Sequence, residues 1–369
     1  MMVALLATVA MIQSAQTCKL VRVPIQLNAV ERLGANATSK PINPGFQWDE
    51  VIPSWNVAHS ENAKLTVLVQ AIGDGSESAW YEIAEWHGDM AKGDRSSIPS
   101  QSDRDADLLT DVLRVKAAFT SVRVQMHLEQ VAPGPSPKLK LFTLCFSRRG
   151  ETNSDSGSRR EIPTIDAPQL AQGPYEFGKL AYPKERVSPE FENWFKSAQG
   201  AQYCSPTSVA MVMRYWSAKL KRPDLNVDVP DVVAGVFDSR YPGTGNWPFN
   251  TAYVGSFPEM RSYVARLRDM RDLEEFVSAG VPVIASVSHN LVLGNGKAPG
   301  GDGHLVVVVG IEKGGDVLAN DPGKSDEIRR KYRRSNFIRG WDQSGRTVYL
   351  CHPEGLRLPS SLKEIAVID

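Results

Sequence analysis

The sequence contains few cysteines and no excess of either charge. Cys18, Cys145, Cys204 and Cys351 are the four among 369 residues, and no pair has metal-ligand spacing. A disulfide scaffold and a structural zinc site are not expected, although the sequence leaves open whether Cys145 and Cys351 pair. Lys plus Arg total 42, as do Asp plus Glu. We therefore expect a globular protein with a neutral or mixed-charge substrate and no nucleic-acid partner.

Long apolar runs are also lacking, since no segment approaches the roughly 18 residues that a membrane helix requires. The apolar stretch at 3–12 is followed by small and polar residues, as in a secretory signal. No Lys or Arg precedes it, and no clean small-x-small cleavage site follows. We expect residues 1–16 to be a signal peptide of a secreted or cell-envelope protein. The alternatives are a misassigned start codon or a buried N-terminal strand.

Alternating apolar and polar residues dominate the first part of the chain. The segments 64–72 and 121–128 show this period of two, and clusters of Pro and Gly such as 132–135 separate such runs. The pattern is typical of antiparallel strands with one face in a core. It predicts a β-sandwich accessory domain over 17–147, followed by a polar, Pro-rich linker over 148–189.

Helices precede strands in the rest of the chain, residues 190–369. Helices are predicted at 206–220, near 257–267 and at 273–279, and strands at 281–287, 304–311, 316–320 and 347–351. This order favours an α+β domain with an antiparallel sheet.

Cys204 lies immediately before the predicted helix at 206–220. Pro206 suits the first turn, where a missing N–H costs nothing. A thiol at a helix N-terminus experiences the positive end of the dipole, which lowers its pKa and increases the reactive thiolate. Cys204 is therefore a candidate nucleophile, and an inert buried cysteine is the alternative.

A thiolate nucleophile needs a base, and the base needs an orienting acceptor. His304 opens an apolar strand after a Gly-rich segment, and Asp321 ends the next strand. A short hairpin would bring that carboxylate beside His304, where it could accept the imidazole N–H. His289 and His352 are rival bases, but neither has an acidic residue so plainly placed on a neighbouring strand.

The tetrahedral oxyanion of such a reaction also needs donors. The candidates are the backbone N–H of Cys204 and the side chain of a Gln just upstream. We favour Gln199 over Gln202, because it leaves room for a turn between the amide and the nucleophile.

These residues resemble a known group, the bacterial papain-like peptidases of family thirty-nine, which process bacteriocin leaders, and their free-standing relatives. The resemblance covers roughly 180–353. It rests on 199–211, Gly303-His304-Leu305-Val306-Val307 and Asn320-Asp321-Pro322, in the family's order Gln, Cys, His, Asp. One departure is Tyr203-Cys204-Ser205 where Asp-Cys-Gly is usual. The free-standing relatives also carry an N-terminal β-domain.

The resemblance implies a papain-like cysteine peptidase that hydrolyses a peptide or amide bond of a peptide or protein. Cys204, His304 and Asp321 would form the triad, with a thioester intermediate and no metal or organic cofactor. One alternative is an acyltransferase that uses the same triad. Another is a non-catalytic surface protein that binds protein or glycan, with the sugar on an aromatic face. The aromatic residues of that face would be Trp48, Trp55, Trp80, Tyr81 and Trp86, which could instead fill the sandwich core.

Overall fold

A computed structural model describes residues 18–25, 34–98, 100–148, 155–180, 187–298, 300–323 and 326–367. The predicted signal peptide, 1–16, lies outside these ranges. Among the described residues, no helix combines the length and apolar character needed to cross a bilayer. The chain forms a strand-rich N-terminal half and a C-terminal half in which helices precede a sheet.

The strands of the N-terminal half form two five-stranded antiparallel sheets, with the orders β1-β10-β3-β8-β7 and β2-β9-β4-β5-β6. The strands are β1 (Cys18–Arg22), β2 (Ala35–Thr38), β3 (Glu50–Ala58), β4 (Ala63–Gly73), β5 (Ser76–His87), β6 (Ser96–Ser97), β7 (Ala106–Leu109), β8 (Val112–Val115), β9 (Ser121–Gln130) and β10 (Lys138–Ser147). The apolar residues of β9 are fully buried, whereas the residues between them are partly exposed. The predicted sandwich is confirmed.

The aromatic residues that could have formed a sugar-binding face lie mostly inside this sandwich. Trp48, Trp55, Tyr81 and Trp86 are each at most 2% exposed. Trp55 packs edge-on against Trp86, with ring centroids 6.4 Å apart. These four rings contribute to the core and present no face to a sugar.

The C-terminal half contains a six-stranded antiparallel sheet of order β11-β16-β12-β13-β14-β15. The strands are β11 (Met260–Arg266), β12 (Val283–Ser288), β13 (Gly303–Ile311), β14 (Val317–Asn320), β15 (Arg329–Tyr332) and β16 (Thr347–Pro353). The helices are α1 (Pro189–Ala198), α2 (Cys204–Leu220), α3 (Val229–Val236), α4 (Trp247–Ser256), α5 (Met270–Ser278), α6 (His289–Val292) and α7 (Arg334–Asp342). Helix α2 packs against β13 and β16. The predicted α+β class is confirmed.

One helix prediction is wrong. Residues 257–267 contain strand β11, which pairs with Thr347–Pro353, and the nearby helix is α4, just upstream. Every residue of β11 is buried, so its sequence lacks the polar alternation that identifies a half-exposed strand. Helix α4 is also largely buried and has no polar face, although Asn246 caps it by accepting the N–H of Phe249.

Side chains of the N-terminal half complete backbone hydrogen bonds of the C-terminal half. The amide of Asn56 donates to the Ser262 carbonyl at 2.7 Å and accepts the Ser262 N–H at 3.1 Å. The guanidinium of Arg95 donates to carbonyls at the end of α3. The carboxylate of Asp111 accepts the Trp247 N–H at the start of α4, at 2.7 Å. The two halves are therefore joined by buried polar contacts as well as by apolar packing.

Part of the predicted linker crosses the C-terminal half in an extended conformation, and we call residues 162–177 the crossing segment. Ile162 exchanges backbone hydrogen bonds with Ile311 of β13. Farther along, the Gln172 N–H donates to the Pro322 carbonyl at 3.0 Å. Phe177 then packs against Phe195 of α1. The crossing segment thus runs from the sheet to the helical layer that carries Cys204.

Candidate active site

Cys204 is the first residue of α2, so the helix begins two residues before the predicted start. The preceding Tyr203 is buried, and its hydroxyl donates to the Phe195 carbonyl at 2.9 Å. Pro206 lies in the first turn. The N–H of Cys204 is among the first four of the helix, which have no partner within it. The local sequence therefore fixes a thiol at the positive end of a helix dipole.

His304 is the second residue of β13 and lies opposite Val287 of β12. The hydroxyl of Ser208 in α2 donates to the Leu305 carbonyl at 3.3 Å, which ties the helix to the strand beside the imidazole. Nε2 of His304 lies 2.6 Å from Oδ1 of Asp321. The other ring nitrogen, Nδ1, is the one left to interact with Cys204, whose thiol pKa His304 lowers.

Asp321 follows β14 directly and is fully buried. Its own N–H donates to the Ile328 carbonyl, so the backbone is held by the hairpin that joins β14 to β15. Besides His304, its carboxylate accepts the Gly323 N–H at 2.9 Å and the Tyr332 hydroxyl at 2.5 Å. Tyr332 belongs to a basic run in the sequence, which hid this contact. The pairing of β15 with β14 brings Tyr332 beside Asp321, and the sequence carries no signal of that pairing.

His289 also lies in this cluster. It begins α6, just after β12, and its ring stacks on that of His304 with centroids 4.3 Å apart and planes at 29°. Its Nε2 is 3.4 Å from Oδ2 of Asp321. The other rival base, His352, lies elsewhere, with Nε2 3.2 Å from the Tyr263 hydroxyl. The stacked position of His289 follows from the pairing of β12 with β13, which the order of elements along the chain does not reveal.

The electrostatics favour a thiolate and imidazolium pair. Burial opposes ionisation of Cys204, but the hydrogen bond and charge of His304 outweigh it and lower the pKa of the thiol. Burial likewise opposes charge on His304, yet bonds to Asp321 and Cys204 raise its pKa to about 10. Burial also disfavours the Asp321 carboxylate, whereas bonds from His289 and His304 hold its pKa well below the usual range.

The remaining cysteines differ from Cys204 because their thiol pKa values are raised. Burial raises the pKa of Cys18 and of Cys351 to about 12, and that of Cys145 to about 11. Cys145 and Cys351 are both free thiols. Cys145 and Cys351 therefore do not form the disulfide that the sequence left open, and Cys204 is the cysteine whose pKa is lowered.

The two candidate glutamines lie at the surface. Gln199 is exposed, and its side-chain amide donates to the Lys196 carbonyl at the end of α1. Gln202 is also exposed, and its backbone carbonyl accepts a hydrogen bond from the Thr244 hydroxyl. The structure thus brings Cys204, His304 and Asp321 together and turns the Gln199 amide towards its own helix. The role of Gln199 as an oxyanion donor stays a prediction.

Gln172 of the crossing segment reaches the vicinity of this site. Its N–H binds the carbonyl of Pro322, the residue after Asp321. Gly200, four residues before Cys204, has φ +87°, and a Cβ there would lie 2.6 Å from the Gln172 carbonyl oxygen. Glycine is required at that position by both the conformation and the contact. The sequence gives no signal for this approach, because the crossing segment has only the composition of a linker.

The chain is similar to known proteins over both halves. Residues 186–349 match the Peptidase C39 like family, and residues 26–147 match the Peptidase C39 N-terminal domain. No curated protein matches the sequence.

Two solved structures are similar to parts of the chain. A protein of Bacillus anthracis described as a C39-like peptidase is 16% identical, with a TM-score of 0.35, over 54% of this chain and 100% of its own. A structure of infectious bursal disease virus, Gt strain, is 10% identical, with a TM-score of 0.23, over 37% of this chain and 34% of its own.

Proposed function

The chain belongs to the Peptidase C39 like family, and from that premise we propose that it is a cysteine peptidase that uses Cys204, His304 and Asp321. Membership of a peptidase family implies a peptide or protein substrate. The observation that carries the proposal is the His304 imidazole, whose Nε2 lies 2.6 Å from Oδ1 of buried Asp321, at the site where Cys204 begins α2. The charge of His304 also lowers the pKa of the Cys204 thiol. A structural cysteine in an apolar interior has its pKa raised instead.

In the first half of the reaction, the Cys204 thiolate attacks the carbonyl carbon of the scissile bond and a C–S bond forms. The charge moves to the carbonyl oxygen, which the Cys204 N–H would stabilise, joined by the Gln199 amide if that side chain turns away from the Lys196 carbonyl. As the tetrahedral intermediate collapses, the C–N bond breaks. The His304 imidazolium gives its proton to the departing amine, which leaves an acyl thioester on Cys204.

In the second half, neutral His304 takes a proton from water, and the resulting hydroxide attacks the thioester carbonyl. The C–S bond then breaks, the carboxylic acid leaves, and the thiolate and imidazolium are restored. The Asp321 carboxylate accepts the Nε2–H throughout, so that Nδ1 keeps facing the sulfur and the charged ring is stabilised. Protein groups supply every proton transfer.

The test is the rate of Cys204 alkylation by iodoacetamide as a function of pH, in the parent protein and in His304→Ala. We expect alkylation to persist well below the free-thiol pKa of about 8.5 and the variant to react only near that pKa. Alkylation of both proteins at the ordinary thiol pKa would refute the proposal and favour the non-catalytic surface protein. The modified residue is identified by peptide mass mapping.

Acyl transfer would use the same thioester, with an amine in place of water. Digestion of a protein substrate with and without an added amine separates the two reactions by the mass of the new C-terminus. We expect free carboxylates as the main product in both samples. A majority of amide-capped C-termini in the sample with amine would contradict hydrolysis and indicate a transferase.

A further inference from the structure

A cavity of about 520 Å³ lies between the two halves of the molecule. The sandwich contributes the hairpin of β7 and β8 to its wall, and the C-terminal half contributes the loop before α4 and the turn before β16. The carboxylate of Asp111 in that hairpin accepts the Trp247 N–H at 2.7 Å, which fixes the two walls to each other. The volume is within the range of ligand-binding pockets, about 300–1,000 Å³.

The cavity lies at the same end of the C-terminal sheet as the candidate triad. Val287 of β12 lies opposite His304 of β13, and Ala285 lies opposite Val348 of β16. Antiparallel pairing therefore places Val287 level with Arg346, which lines the cavity. Since neighbouring strands are about 4.8 Å apart, β16 lies about 10 Å from β13. An extended peptide of about three residues covers that distance.

The crossing segment lies on the opposite side of β13. It binds Pro322 after β14 and approaches Gly200 in the helical layer, and β14 neighbours β13 on the side away from β12 and β16. On the side of the cavity, the Thr244 hydroxyl in the loop before α4 donates to the Gln202 carbonyl, two residues before Cys204. A peptide bound at Cys204 would therefore extend towards the cavity.

The polar lining of the cavity carries an excess of positive charge. Its guanidiniums are those of Arg114, Arg148, Arg266 and Arg346, and its carboxyl groups are those of Glu50, Asp111 and Asp342. The Glu50 carboxylate is shared by Arg114 and Arg266, so it balances only one of these two charges. Burial raises the pKa of Asp111 to about 7, so this group is only partly charged near neutral pH. The lining therefore favours an anionic ligand.

Arg114 has donors to offer such a ligand. Its Nε donates to Oε1 of Glu50 at 2.7 Å, and its side chain is 36% exposed. Its two terminal nitrogens make no hydrogen bond to any residue that the structure describes. A guanidinium binds a carboxylate through two parallel N–H donors. Leu109 and Tyr241 line the same cavity and are 42% and 58% exposed, so they offer apolar surface beside the charge.

From this arrangement we infer that the cavity is a subsite for an acidic side chain of the substrate, Asp or Glu, about three or four residues from the scissile bond. Arg114 is its specificity-determining residue. This inference rests on the proposed peptidase function. It gives the sandwich a role in substrate selection, because Arg114 and Leu109 both belong to that half.

The first experiment is digestion of a peptide mixture prepared from whole-cell protein, with the cleaved bonds identified by mass spectrometry. We expect Asp and Glu to be enriched at one position, about three or four residues from the cleaved bond. Two quenched peptides are then made that differ only as Glu or Gln at that position. The parent should favour the Glu peptide about tenfold in kcat/KM, and Arg114→Gln should reduce that ratio to about one.

Arg123→Gln is the matched control, because Arg123 also belongs to the sandwich and pairs with a glutamate, Glu77, at 3.3 Å. It should keep the preference for Glu. A parent that shows no acidic enrichment, or an enrichment that survives Arg114→Gln, would overturn the inference. Thermal melts check that each variant is folded. Arg114→Met, which keeps a long side chain, replaces Arg114→Gln if the latter does not fold.

A binding measurement separates this inference from the peptidase function, because it needs no turnover. Rhodamine-labelled alanine hexapeptides with a single Glu or a single Gln are titrated with the full chain carrying Cys204→Ser, and fluorescence anisotropy is recorded. The Glu peptide should bind about fivefold more tightly, and adding Arg114→Gln should remove the difference. Equal binding of the two peptides would refute the subsite. Tighter binding of the Glu peptide, with no cleavage of any peptide by the parent, would refute the proposed function alone.

Discussion

Two cysteines of the C-terminal half each lie close to a histidine in space or in sequence, but only one of them is placed for chemistry. Cys204 stands at the start of α2 beside His304, and its pKa is lowered. Cys351 lies inside β16, next to His352 in the sequence, and burial raises its pKa to about 12. Both histidines are buried. The difference between the two thiols depends on which way the side chains point, and not on how near the cysteine and the histidine are in the sequence.

The geometry of a strand explains the difference. Successive residues of a strand point to opposite faces, so His352 cannot face the Cys351 sulfur. Its Nε2 lies near the Tyr263 hydroxyl instead, and the Cys351 sulfur lies 3.0 Å from the Ser262 hydroxyl. Cys204 meets a histidine from another element altogether. In this chain, the lowered pKa of Cys204 depends on a histidine delivered by a separate element and on the Asp321 carboxylate behind that histidine.

The test with the largest expected effect replaces the sulfur of each cysteine with oxygen and compares the two losses of activity. Cys204→Ser should lower hydrolysis of a protein substrate about a thousandfold or more, because the hydroxyl is not ionised by His304. Cys351→Ser should change the rate by less than about threefold, since its sulfur contacts the Ser262 hydroxyl and His352 faces Tyr263 instead. Initial rates at matched concentrations of folded protein measure both. Equal losses in the two variants would remove the distinction between the sites.

A second test examines the role of Asp321, which accepts the N–H of His304. Asp321→Asn keeps an oxygen near Nε2 but removes the negative charge, so the pKa of His304 should fall and the pKa of Cys204 should rise. We expect hydrolysis to drop about tenfold to a hundredfold, and the alkylation profile of Cys204 to move to higher pH. Tyr332→Phe is the control, because it removes one hydrogen bond and leaves the charge. An unchanged alkylation profile in Asp321→Asn would contradict this role.

The smallest effect concerns stability. Cys351 is fully buried, so Cys351→Ala should lower the free energy of unfolding by about 1 kcal/mol through lost packing. Cys204 is partly exposed, so Cys204→Ala should lower the free energy of unfolding by less, because less packing is lost. Urea unfolding of both variants measures the two values. A larger loss for Cys204→Ala than for Cys351→Ala would show that Cys204 serves packing.

Much of the fold could be predicted from local patterns. The alternation in β9 identified a half-buried strand, and Pro206 marked a helix start that the structure places two residues earlier. The nearness of Asp321 to His304 follows from the short connection between β13 and β14. Segments buried on all sides are harder to predict. Because β11 and α4 show no polar face, the pattern at 257–267 predicts a helix where the structure has a strand.

Contacts between distant parts of the chain could not be predicted. Stacking of His289 on His304 depends on the pairing of β12 with β13, and the hydroxyl of Tyr332 on Asp321 depends on β15. The path of the crossing segment depends on the space that Gly200 leaves. Composition identifies such a segment as a connection between domains, but it carries no information about where the connection packs.

The polar contacts between the halves also bear on whether one half can be expressed without the other. Arg95 and Asp111 come from the sandwich, yet they complete the end of α3 and the start of α4. Trp55 of the sandwich covers Phe249 of α4, with ring centroids 6.2 Å apart. The C-terminal half expressed alone would lack these partners at two helix ends and would expose the Phe249 ring. The sandwich thus completes the fold of the C-terminal half, and we expect the two halves to unfold together.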